Sequence, residues 1–83
     1  MLTEYIGAAM HLAKYELLPD DEGYYGEISV LQGVWANGPT LEFCREELRQ
    51  ALEGWLVLGL RLGHPLPVLA GIDLNAPLVM EPV

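Results

Sequence analysis

Positive charge is scarce in this chain. Lys14, Arg45, Arg49 and Arg61 face 12 acidic residues, and the formal net charge is −8. Binding to bare nucleic acid needs clustered Lys and Arg to displace counterions from phosphates, and so few scattered cations make no such patch. The same shortage argues against an anionic membrane surface. Cysteine is scarcer still. Cys44 stands alone, so no intramolecular disulfide can form, which suits a reducing compartment. Long apolar runs are missing too. Leu56-Val57-Leu58-Gly59-Leu60 ends at Arg61, far short of the ~20 residues that span a bilayer. No basic stretch precedes an apolar run near the start, as a secretory signal would have. The expectation is a cytoplasmic protein.

Motifs that carry chemistry are also missing. There is no phosphate-cradling Gly-rich loop with its Lys, no dinucleotide fingerprint, and no paired His or Cys at zinc spacing. Asp20-Asp21-Glu22 lacks the alternating ligands of a calcium loop and reads as a solvated turn. His64 reads as an imidazole beside the negative end of a helix. Cys44 reads as a small core residue. Trp35 and Trp55 read as core or interface anchors rather than a ligand platform. No catalytic residue, cofactor or metal is expected.

Apolar residues, in contrast, are plentiful at 52% of 83 positions. A chain this short forms one domain, residues 1–83, and buries only about 60–65% of its unfolded surface. More apolar surface than a thin core can hide predicts self-association.

The pattern predicts five elements and a further strand. Leu2 to Met10 is a short helix with Thr3 near its start. Ala13 to Leu18 and Tyr24 to Leu31 alternate as strands and form an antiparallel hairpin around Pro19-Asp20-Asp21-Glu22-Gly23. On the second strand Tyr24, Ile28 and Val30 are expected on one face, and Tyr25, Glu27 and Ser29 on the other. Val34-Trp35-Ala36 is a short third strand, stopped by Asn37-Gly38-Pro39. Thr40 to Leu62 is a long amphipathic helix, with Leu41, Cys44, Leu48, Leu52, Trp55, Leu58 and Leu62 as its stripe. Thr40 is its N-cap, and Gly63 with Pro65 ends it. Val68 to Leu74 is a last strand with a bulge at Gly71. Residues 75–83 are a tail. The fold class is therefore α+β: a small antiparallel sheet with the long helix on one face.

After Gly54 the long helix is apolar on every side, which a single thin sheet cannot cover. Trp55, Leu56, Leu60, Leu78 and Met80 are accordingly expected at a symmetric interface in a homo-oligomer, a dimer or tetramer.

The run from Tyr25 to Glu42 resembles the signature of the HicB-like antitoxin family. Leu31-Gln32-Gly33 stands where that family has Leu-Pro-Gly. Thr40 matches its helix-opening Thr, and Glu46 and Leu48 its Glu-rich helix start. The resemblance covers roughly Lys14 to Leu60. It implies a partly degraded RNase H-like fold and a partner, a small basic RNA-cleaving toxin of the HicA kind. The family's C-terminal DNA-binding domain has no counterpart in the sequence after the long helix. The chain is therefore similar to a shorter, stand-alone branch, and no direct nucleic-acid contact is expected.

Three functions follow from these readings. The first is a non-catalytic, antitoxin-type binding protein, with Glu16, Tyr25 and Glu27 on the hairpin face away from the helix as toxin contacts. The second is a stand-alone oligomeric domain that binds another protein or a small ligand. The third is a residual nuclease using carboxylates, Glu27 among them, and a divalent metal.

Overall fold

The computed structural model describes residues 2–73. The tail 75–83, with Leu78 and Met80, lies outside the described residues. The elements run α1 (Leu2–His11), β1 (Lys14–Leu17), β2 (Tyr24–Glu27), β3 (Trp35–Gly38) and α2 (Leu41–Leu62). The strands form an antiparallel meander in the order β1-β2-β3, and α2 packs on β2 and β3. This is the expected α+β arrangement of sheet and long helix. None of the described helices is long and apolar enough to cross a membrane.

The first hairpin closes because its loop can bend backwards. Asp20 and Asp21 take φ of 58° and 56°, a left-handed region that short polar side chains tolerate. The Leu18 N–H donates to the Gly23 carbonyl at 2.8 Å. Gly23 has φ 93° and sits so close to the Gly38 carbonyl that a Cβ there would collide with it.

The second strand is shorter than the alternation suggests. It stops at Glu27, and the chain then makes two successive turns. Leu31 N–H donates to the Ile28 carbonyl at 2.9 Å, and Val34 N–H to the Leu31 carbonyl at 3.1 Å. Ile28, Leu31 and Val34 are buried at a spacing of three, whereas Val30 is 49% exposed. The expected pairing of Ile28 with Val30 on a strand face is thus replaced by a turn period.

Val68 to Leu74 is not a strand within the described residues. Leu69 and Ile72 form a lone antiparallel bridge around Ala70 (φ 50°) and Gly71 (φ 77°). Two successive positive φ values belong to a tight reversal of the primed kind, so Gly71 serves a turn and not a bulge.

Helix α2 is capped at both ends as its sequence predicts. The Thr40 hydroxyl accepts from the Phe43 N–H at 3.0 Å. At the other end Gly63 is left-handed. His64 N–H donates to the Gly59 carbonyl and Gly63 N–H to the Leu60 carbonyl, which is the Schellman arrangement.

The buried stripe of α2 is Cys44, Leu48, Leu52, Leu56 and Gly59. It departs from the expected stripe at its first residue and in the second half. Leu41, Leu58 and Leu62 are exposed, and Trp55 only packs at the margin of the core. Steps of four residues rotate a stripe by about 40° each on a 3.6-residue helix. The stripe therefore drifts toward α1 and the segment after the helix, where Tyr5, Leu66 and Leu69 cover it. Leu56, expected at a subunit interface, is 1% exposed and turned into its own chain. Leu60 is exposed and remains open to a neighbour. The Tyr5 hydroxyl donates to the Pro67 carbonyl at 2.6 Å and fastens the post-helix segment to α1.

Candidate functional site

The meander has two unlike faces. The inner face carries Tyr15, Gly26 and Ala36 in one row and Leu17, Tyr24 and Gly38 in the next. Small residues there let α2 come close. A Cβ on Gly26 would lie 2.8 Å from the Tyr15 ring and 3.2 Å from Cys44 Sγ, and one on Gly38 would lie 2.9 Å from the Cys44 backbone nitrogen. Cys44 is buried, and burial pushes its thiol above the ordinary value. It fills the gap between helix and sheet as a core residue does.

The outer face is open. Its rows are Lys14, Glu27 and Trp35, and Glu16, Tyr25 and Asn37. The three residues expected on it, Glu16, Tyr25 and Glu27, are thus brought together. Tyr25 faces Glu16 across the strands, and its hydroxyl donates to Glu27 Oε1 at 3.1 Å. Burial comes first, then the bond to Glu27 and the charges of Glu27 and Glu16, in raising the Tyr25 phenol above its ordinary value. Trp35 and Asn37 join this face without having been assigned to it from the sequence. The β3 register, Tyr25 against Asn37 and Glu27 against Trp35, was the missing signal. Trp35 is 53% exposed and stacks on Tyr25, with centroids 6.1 Å apart and 26° between planes.

The segment that builds this face is acidic. Between Lys14 and Gly38 there are five carboxylates (Glu16, Asp20, Asp21, Glu22 and Glu27) against one cation, Lys14. The surface can therefore offer an aromatic platform, an amide and an acidic rim. Such a combination suits a cationic protein surface, because aromatic anchors supply contact area and charge supplies orientation. Among the described residues no group of three or more His, Cys, Asp or Glu side chains could hold a metal ion.

A second concavity lies between α1, β1 and α2. It has a volume of about 700 Å³ and is lined in part by His11, Tyr15, Arg45 and Arg49. The Tyr15 hydroxyl is buried and unpartnered. Burial raises its phenol, while the charge of Arg45 acts the other way. Arg49 is held on both sides, by Glu46 at 2.7 Å and by Glu53 at 2.5 Å.

Comparison with known proteins places the chain in a family and beside solved structures. The family model described as UPF0150-like matches residues 4–67. The crystal structure of TTHA0281 from Thermus thermophilus is similar, with a TM-score of 0.84 and 46% sequence identity over 92% of this chain and 94% of that one. No curated protein matches the chain.

Proposed function

We propose, from the premise that the chain belongs to the UPF0150-like family, that it is a HicB-like binding protein of antitoxin type. In this reading it neutralises a small basic RNA-cleaving toxin of the HicA kind in the cytoplasm, without catalysis of its own. The reading carries with it the partly degraded RNase H-like architecture of HicB-like proteins.

The observation that supports it is the outer sheet face. The stacked Tyr25 and Trp35 lie beside Glu16 and Glu27, and no element of the described chain forms a second layer over them. Three strands with one open face leave the side chains of that face available to a second protein. Carboxylates around a central aromatic pair would steer a cationic partner to that face and hold it there. The toxin's own basic surface, needed for RNA, would be occluded by the same contact.

The test is co-expression with a basic HicA-like protein. The wild-type chain should co-purify with it and restore growth. Glu16→Lys combined with Glu27→Lys should abolish both while the fold is retained. A pull-down in which the two proteins stay apart overturns the reading.

The cleft of about 700 Å³ supports a second reading, a stand-alone domain that binds a small ligand. The buried, unpartnered Tyr15 hydroxyl would there find an acceptor or donor on the ligand. Loss of ligand binding in Tyr15→Phe, with toxin binding unaffected, separates this reading from the first.

A further inference from the structure

Cations are rare in this chain, yet they gather at the cleft between α1, β1 and α2. Two of the four Lys and Arg residues, Arg45 and Arg49, line it together with His11. Arg49 is already held by Glu46 and Glu53, and Glu53 is the one acidic residue among the described lining. Arg45 has no ion pair among the described residues. Near it lies the Tyr15 hydroxyl, buried and without a hydrogen-bond partner. Burial dominates that phenol and the charge of Arg45 comes next, which sets guanidinium and hydroxyl side by side. The hydroxyl proton needs an acceptor, and a guanidinium has none to give. A buried polar group left unpaired destabilises the fold.

The helical wall of the cleft has a gap of its own. Ile6, Gly7 and Met10 share its cleft side, while Tyr5 and Ala9 are buried in the core. Gly7 lies in mid-helix, where glycine is less stable than alanine, and a Cβ there would meet nothing within 4 Å. The packing of α1 does not require this glycine, whereas an open cleft does.

We propose that the cleft binds a small organic acid, whose carboxylate pairs with Arg45 and accepts from the Tyr15 hydroxyl while its apolar body lies over Gly7 against Ile6 and Met10. This rests on the small-ligand reading of the cleft and gives that ligand its charge and chemical class. One unengaged guanidinium matches one carboxylate, two parallel N–H donors to two oxygens. Arg45 is exposed, and its long stem lets the guanidinium carry the carboxylate toward the hydroxyl beside it. A dianion such as a phosphate would call for a second free cation, and Arg49 is committed. The net charge of −8 also repels a dianion about twice as strongly as a monoanion. An uncharged ligand would leave the guanidinium unpaired. The volume of about 700 Å³ is that of an ordinary ligand pocket.

The test is a nuclear magnetic resonance titration of the full chain with benzoate, benzamide and inorganic phosphate at constant ionic strength. Benzoate should shift the amides of Gly7, Tyr15 and Arg45, with a dissociation constant on the order of 1 mM, usual for so small a ligand. Benzamide and phosphate should leave them in place at the same concentration. Arg45→Gln should weaken benzoate at least ~10-fold and Tyr15→Phe about 3–10-fold, the scale of charge-assisted hydrogen bonds. Gly7→Leu should abolish binding by filling the cleft while helix content by circular dichroism is kept or raised. Equal binding of benzamide overturns the acid and leaves the small-ligand reading standing, and so does tighter binding of phosphate. Benzoate that binds Arg45→Gln or Gly7→Leu as well as the wild-type chain overturns the proposal. Silence from all three probes overturns both.

Discussion

Trp35 stacks on Tyr25 across a diagonal of the sheet, since the residue directly opposite Trp35 is Glu27. Diagonal neighbours are within reach only of long or aromatic side chains. The pair thus forms a flat platform that spans two register positions, with the Tyr25 hydroxyl tied to Glu27 at one end. Trp35→Ala removes the stack without opening a core cavity, because the indole is half in solvent. The expected loss of stability is about 0.5–1.5 kcal/mol, measured by urea denaturation. Binding of the proposed toxin should fall far more than that.

Gly26→Ala should cost much more than its single methyl suggests. The added Cβ would press on the Tyr15 ring and on Cys44 Sγ. Overpacking of this kind costs about 1–3 kcal/mol, and chemical denaturation should show it. A double variant with Tyr15→Leu, which removes the flat ring edge, should recover part of the loss.

Thr40→Ala removes the acceptor for the Phe43 N–H. The expected cost is about 1 kcal/mol. Hydrogen exchange should rise first in the opening turn of α2, with the Schellman end unaffected.

Alkaline pH should destabilise the fold. Burial raises Cys44 above 9.0 and Tyr5 above 10.0; in Tyr15 it outweighs the opposing Arg45. Their neutral forms are favoured in the folded state, so their contribution is complete below those ordinary values and is lost as pH climbs through the raised ones. Thermal unfolding midpoints should be flat in these groups' contribution near neutrality and fall above about pH 9. Iodoacetamide should modify Cys44 slowly at pH 8 and rapidly once urea exposes it.

Much of this architecture is legible in the residues, and the misplacements share a cause. The N-cap Thr40, the terminator Gly63 and the first hairpin are local chemistry, and local chemistry can be read from neighbours along the chain. The sharing of one face by Tyr25 and Glu27 follows from a period of two, and the hairpin register brings Glu16 opposite Tyr25. Leu56 is different. Trp55 and Leu56 are adjacent and both apolar, and which of them faces inward depends on where Leu66 and Tyr5 lie. Ile28 and Val30 fit a strand equally well until Leu31 bonds back to Ile28. Val68 to Leu74 reads as an apolar strand, yet Ala70 takes a positive φ, which side-chain type does not announce. Trp35 joins the open face only through the register of β3 on β2.

Tyr5→Phe should lower stability by about 1 kcal/mol, the net worth of one hydrogen bond. It should also raise amide exchange around Leu66 and Leu69 before any other region. The bond it removes joins residues 62 positions apart. Closing so long a loop from an open chain costs about 4 kcal/mol of entropy, several times what the bond returns. Tyr5 and Pro67 can therefore meet only after the sheet and α2 have already drawn them together. A bond that forms only on an assembled scaffold makes the exchange rate of this corner a gauge of how complete the rest of the molecule is.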